Sequence, residues 1–353
     1  MRLLLHFLAL CFLAFLGSGS VVFAAQGKWD ITQFNGVEYV NLRDVWKYYQ
    51  FTPRQGGKRG CLTYGCKDRI ISVRPFKQDF YVNNFRYILS YPIQSRADGL
   101  SISTIDMTKL VDPVLRPRLT HSARLTTVVL DPGHGGHDAG AKGVYANEKD
   151  CNLALALKVR DKLRRAGFKV VMTRDRDFFL TLGERVAIAN RTPDCIFVSI
   201  HHNSGHGGAE GIETFTLAPH GTSSPFARTR LTEELSGNNQ DSENIALATA
   251  VHAYAIRRTA AVDRGIQRAR FSVLCTINRP AILFEAGFMT HPKEGRSVAS
   301  PSYQETLAQS ICDGILQYRA VARSGSATSS PDRRPPAPRG GSATLGGGRI
   351  TQH

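Results

Sequence analysis

The run Val128-Val-Leu-Asp-Pro-Gly-His-Gly-Gly-His-Asp-Ala-Gly140 constrains this chain more than any other stretch. Val128 to Leu130 form an apolar run that predicts a buried strand. It feeds directly into Asp131, Pro132 and glycines at 133, 135, 136 and 140. Glycine lets a backbone turn tightly and pass close to a ligand. His134 sits inside that turn, and a histidine held at the C-terminal end of a central strand suits a metal ligand. Two later segments offer companions: Asn147-Glu148-Lys149 ahead of a helix, and Ser199-Ile-His-His-Asn203 after another strand. Histidine, glutamate and histidine from three separate loops are the ligand types of a catalytic zinc site with an open fourth position.

From residue 125 onward strand and helix patterns alternate. Strands are expected at 128–130, 169–172, 196–200, 211–217 and 281–284. Helices are expected at 150–166, 182–190, 242–259 with Ser242 as its cap, and 303–321. Such alternation predicts an α/β fold, an open mixed sheet with helices on both faces. Ligands of these sheets sit outside the carboxyl ends of the strands. His134, His201 and Glu285 all follow strands, so one cleft can gather them. Glu285 ends the apolar strand Ala281-Ile-Leu-Phe284, which desolvates its carboxyl, and Gly287 leaves room for a substrate. A carboxyl group so placed can take a proton from water and pass it to a leaving nitrogen.

Six segments in order carry a resemblance: LDPGHGG at 130–136, NEKD at 147–150, TRDRDFFLTLGERVAIAN at 173–190, SIHHN at 199–203, EGIETF at 210–215 and LFEAGFMTHP at 283–292. They resemble the zinc-dependent N-acetylmuramoyl-L-alanine amidases of the bacterial cell wall, over roughly residues 125 to 320. The resemblance implies Zn2+ held by His134, Glu148 and His201, with Glu285 as the catalytic acid–base. It places Glu213 near the site, and with Asn203 as a substrate-binding group. Arg174 and Arg185 are expected in structural ion pairs. His291 stands where the family usually shows Asn. The implied activity is hydrolysis of the amide between N-acetylmuramic acid and L-alanine of the stem peptide. The rival readings are a zinc peptidase acting within the stem and a non-catalytic cell-wall binding protein. Peptidoglycan is the implied partner, together with an activator protein. Residues 219–241, with a helical piece from Arg228 to Leu235, fall where some relatives carry a blocking helix.

The remaining chain sets the compartment and the domains. A composition of 42% hydrophobic and 21% charged residues is globular and excludes a wholly disordered chain. Met1-Arg2, the apolar run Leu3 to Leu16 and the exit Val22-Phe-Ala-Ala25 predict a signal peptide over 1–25. The run is short for a span of about 20 residues, so no transmembrane segment is expected in the mature chain. Export to the periplasm or cell envelope follows. There a net charge of +16 favours anionic envelope polymers or lipid headgroups as neighbours, and the signal peptide argues against the nucleic acid that such a charge would otherwise suggest.

Residues 26–120 show short strand patterns, a helix from Leu42 to Tyr49 and a turn at Asn83-Asn84. They predict a small β-rich accessory domain, similar to the one that precedes copper amine oxidases and some amidases. It holds no ligand set, so a chain starting near Ser122 is expected to keep its chemistry. Asp112-Pro-Val-Leu-Arg-Pro-Arg118 is expected to be a linker to a catalytic domain over 125–322. Cys61 and Cys66 bracket Leu-Thr-Tyr-Gly on an expected hairpin and predict a disulfide after export. Residues 323–353 are rich in Gly, Ser, Pro and Arg and predict a disordered basic tail.

Overall fold

A computed structural model describes residues 29–56, 60–67, 69–120, 122–206, 208–224 and 234–326. The expected signal peptide, the tail from 327 and most of the Arg228–Leu235 piece lie outside the described residues. Among the described residues no helix is long and apolar enough to cross a membrane.

The first part of the chain contains β1 (Ile31–Phe34), β2 (Val37–Asn41), α1 (Leu42–Tyr49), β3 (Thr52–Arg54), β4 (Leu62–Cys66), β5 (Arg69–Val73), β6 (Asp79–Val82), β7 (Phe85–Ile88), β8 (Gln94–Arg96) and β9 (Gly99–Ser103). The second contains β10 (Thr127–Pro132), α2 (Glu148–Arg165), β11 (Lys169–Met172), α3 (Leu182–Arg191), β12 (Cys195–Asn203), β13 (Ile212–Leu217), α4 (Asp241–Thr259), β14 (Asp263–Ala269), β15 (Ala281–Phe288), α5 (Pro292–Val298) and α6 (Pro301–Ser326). Strands β1, β2, β9 and β8 make a four-stranded sheet. The others form one eleven-stranded sheet in the order β11-β10-β12-β15-β13-β14-β7-β6-β5-β4-β3.

β10, β12 and β15 run parallel at the heart of this sheet, and every residue of β10 and β15 is buried. Burial on both faces is why these strands read as apolar runs in the sequence. Leu155, Val159 and Leu163 give α2 an apolar stripe that packs, with α4 and α6, on one face. The chain leaves α2 through Gly167, whose φ of +83° is the left-handed exit that glycine permits. On the other face lies α3, entered through a capping box between Thr181 and Glu184, together with the turn Ser272–Cys275.

The expected mixed α/β sheet with helices on both faces is present. Residues 26–120 and 125–322, however, share that sheet and one core. β7 runs parallel to β14 through the pair Tyr87 and Ile266. Arg86 N donates to Asp263 Oδ2 at 3.0 Å, and the Tyr87 hydroxyl meets Thr249 Oγ1 at 3.2 Å. Buried Arg268 donates to Lys109 O at 2.8 Å, and Ser122 Oγ lies 2.6 Å from the Tyr318 hydroxyl. Val40, Ile71, Leu110, Ile245 and Ile315 belong to the same apolar cluster. β14 is the joint, and it was not among the expected strands. Its sequence, Asp-Arg-Gly-Ile-Gln-Arg-Ala, holds one large apolar residue and no clean alternation.

Four local expectations are corrected. Asp112–Leu115 is no linker but a buried helical turn continuing from the π-helical run Met107–Val111. Asp112 is anchored by the Tyr49 hydroxyl and by Arg116 at 2.6 Å, while Leu110, Val114 and Leu115 enter the core. The Cys61–Cys66 disulfide is absent, and both are free thiols. They stand at the two ends of β4, and five extended steps separate their Cα atoms by about 16 Å, against a disulfide reach of about 7 Å. Ser242 does not cap α4, which starts at Asp241; its hydroxyl accepts from Arg118 N at 2.8 Å. Helix α6 continues to Ser326, past the expected start of the tail at 323, with Ser324 Oγ bonded back to Ala320 O at 3.1 Å.

Candidate active site

The turn after β10 is built to hold one side chain. His134 has a φ of +62°, in the left-handed region that non-glycine residues rarely enter. The preceding Gly133 leaves room for the second histidine: a Cβ there would fall 2.1 Å from His201 Cε1. Two buried arginines clamp the carbonyls of this turn. Arg185 donates to Pro132 O and His134 O at 2.8 Å and pairs with buried Asp131 at 2.7 Å. Arg174 was also expected in an ion pair but makes none among the described residues. It donates instead to Pro132 O and Gly133 O at 2.9 Å and to Lys149 O at 2.8 Å. The strain of the turn is thus held by fixed cations on carbonyl oxygens.

His134, Glu148 and His201 converge, with one candidate ligand atom from each lying within 4.8 Å of the others. Glu148 is the first residue of α2, so the helix start aims its carboxylate at the turn. Its Oε2 lies 3.2 Å from His134 Nε2 and its Oε1 lies 2.9 Å from His201 Nδ1. Burial would raise the Glu148 carboxyl, but hydrogen bonds from both imidazoles outweigh it and hold the group below the usual carboxylate range. Burial likewise works against the His134 imidazolium, while Glu148 and Asp138 prevail and raise its pKa. Asp138 Oδ2 sits 2.8 Å from His134 Nδ1, which fixes the ring and leaves Nε2 toward Glu148. Two imidazoles and an ionised carboxylate, oriented from behind, fit a zinc-type ion.

Glu285 lies within β15, not at its end, because the strand continues to Phe288. The ladder pairs it with His201 on one side and Glu213 on the other. Its Oε2 is buried without a hydrogen-bond partner. Burial first, then the charges of Glu148 and Glu213, push its carboxyl well above the usual range. A carboxyl group with raised proton affinity is suited to accepting and returning a proton. Glu213 is also buried, and it accepts from Asn203 Nδ2, from Gln267 Nε2 and, at 3.2 Å, from Arg264 Nε. Asn203 and Glu213 therefore engage each other beside Glu285.

Three residues of this neighbourhood escaped the sequence reading. Asp138 stands four residues after His134. Asn152 stands four after Glu148 on one helix face, donating to Glu148 Oε1 and Gly133 O at 3.2 Å and meeting buried His202 Nδ1 at 2.7 Å. Those spacings were readable. Glu294 was not. Its carboxylate accepts from Phe288 N at 2.7 Å and Gly211 N at 3.0 Å, tying β15 to β13 across a long sequence gap. His291 caps that helix, its Nδ1 accepting from Glu294 N at 3.1 Å.

A rim carrying two imidazoles, an ionised carboxylate and a buried proton-binding glutamate is the equipment of a metal-dependent hydrolase. The profile of the N-acetylmuramoyl-L-alanine amidase family, Amidase_3, matches residues 128–317, and the chain belongs to that family. It is 36% identical over 192 residues to the uncharacterized protein YqiI of Bacillus subtilis, covering 54% of this chain and 84% of that one. It is 29% identical over 244 residues to the N-acetylmuramoyl-L-alanine amidase AmiA of Escherichia coli, covering 62% of this chain and 84% of that protein. The solved amidase AmiC2 of Nostoc punctiforme aligns at 35% identity over 55% of this chain and 96% of its own, with a TM-score of 0.47.

Proposed function

We propose that the chain is an exported, zinc-dependent peptidoglycan hydrolase. It cleaves the amide joining the lactyl group of N-acetylmuramic acid to L-alanine of the stem peptide. The observation that carries this reading is the convergence of His134, Glu148 and His201 on the sheet rim that also holds Glu285. A zinc ion held by those three residues supplies Lewis acidity at the position their atoms enclose. Glu285 takes the proton of the attacking water on its buried carboxylate and returns it to the departing amine nitrogen. Asp138 keeps the His134 ring turned, and Asn203 with Glu213 holds the strand beside Glu285 in register.

Digestion of purified peptidoglycan with and without a chelator tests this, the new ends being read by mass spectrometry. Intact stem peptides with a free L-alanine amine, lost on chelation, are expected. Cuts within the stem would replace the amidase with a peptidase. Binding without cleavage would leave a wall-binding protein.

A further inference from the structure

The three segments that carry His134, Glu148 and His201 meet at one buried amide. Asn152 lies one turn after Glu148 on α2. Its Nδ2 donates to Glu148 Oε1 at 3.2 Å and to Gly133 O, just ahead of His134, at 3.2 Å. Its Oδ1 lies 2.7 Å from Nδ1 of His202, the neighbour of His201 on β12. The backbone N of His202 donates to the same Glu148 Oε1 at 3.2 Å. On the other side of the carboxylate, Ala141 N donates to Oε2 at 2.8 Å. Donors on both oxygens hold the Glu148 carboxylate in one orientation.

The direction of each bond follows from the partners. A backbone carbonyl and an ionised carboxylate only accept, so the amide nitrogen of Asn152 faces them and its oxygen faces His202. His202 Nδ1 therefore carries a proton. Its Nε2 is buried with no hydrogen-bond partner among the described residues. His202 follows Val198 and Ile200 on the core face of β12, against α2. An apolar side chain would fill that place without stranding a ring nitrogen. What imidazole adds there is the Nδ1 proton donated to Asn152.

We infer that Asn152 and His202 are positioning residues of the zinc site: the imidazole N–H fixes the amide, and the amide holds Glu148 and the Gly133 carbonyl in place for the ion. The inference rests on the zinc reading above. Neither side chain belongs to the ligand set. Their effect is to arrange the three ligands before the ion arrives, so that binding does not have to order them. The pair thereby governs how tightly zinc is held.

The test uses the full mature chain. It reads the zinc dissociation constant by competition with a chromophoric chelator, with thermal melts of the metal-free protein beside it. Asn152→Leu and His202→Leu should each weaken zinc about 10- to 100-fold, the scale of losing a group that orients a ligand. His202→Asn should restore most of the affinity, since its amide can offer an N–H from the Nδ1 position. Metal-free His202→Leu should melt close to wild type, because one stranded atom replaces another: Nε2 is gone and Asn152 Oδ1 is left. A packing role alone predicts a lower melting temperature, unchanged zinc affinity and no rescue by asparagine, which is smaller than histidine. That pattern would overturn the inference. Unchanged affinity in both leucine variants would also overturn it while leaving the zinc reading intact. A wild-type chain that binds no zinc would overturn the zinc reading and the positioning role with it.

Discussion

Glu285 carries opposing demands. The proton affinity that suits it for acid–base transfer comes from burying a carboxyl group beside two others. A folded-state pKa above the ordinary 4.5 means that its contribution to stability is full below that pH. The contribution is lost as pH rises through the folded value. In metal-free protein, Glu285→Gln should therefore raise the melting temperature at pH 7.5 by a few degrees and leave it nearly unchanged at pH 4.5. Thermal melts of both proteins at the two pH values check this; an equal gain at both would show that the charge is not the cause. The same variant should keep its metal and lose turnover on the order of 10²-fold or more. His134→Ala and His201→Ala should instead lose most of the bound zinc, read by metal analysis, while the fold survives.

At the scale of elements, the site depends on where strands stop and how their ends are tied. The β10 turn is held by Arg185, whose ion pair with Asp131 is almost wholly buried. Arg185→Met leaves the Asp131 carboxylate with only the hydroxyls of Thr173 and Ser199. Removing one partner of a buried pair costs about 3 kcal/mol or more. Chemical denaturation should show that loss together with weakened zinc binding, since His134 is carried on the same turn. Strand β4 makes a different prediction. Cys61 and Cys66, held at its opposite ends, should both react with a thiol reagent in protein denatured without reductant. A peptide cross-linked between them would refute the strand.

At the scale of the whole molecule, the unit of folding is larger than the unit of chemistry. A chain starting at Ser122 keeps every candidate catalytic residue but bares the edge of β14 and the core surface under Tyr87 and Leu110. An uncovered parallel edge with apolar residues behind it is an aggregation site. The truncated chain should therefore fail to give a soluble monomer by size exclusion, contrary to the expectation that it keeps its chemistry. A folded, active product would show that the shared sheet is dispensable.

The local sequence determined the parts whose signal is local. Val128–Leu130, Ile196–Ile200 and Ala281–Phe284 are buried on both faces and read as apolar runs. The α2 stripe and the Gly167 exit declare a helix and its end. His134, Glu148, His201 and Glu285 were legible because each sits beside such an element with glycine or a helix start next to it. Asp138 and Asn152 were readable in principle through their four-residue spacing. Tertiary structure alone decided the rest. β14 is a strand because β13 and β7 offer it hydrogen bonds on both sides, not because its side chains alternate. Asp112–Leu115 is helix because Tyr49, Arg116 and the core hold it there. Glu294 meets Gly211 and Phe288, and Arg86 meets Asp263, only through pairings between residues far apart in the chain. Such contacts depend on which strand edges and buried polar groups remain to be satisfied once the core has formed.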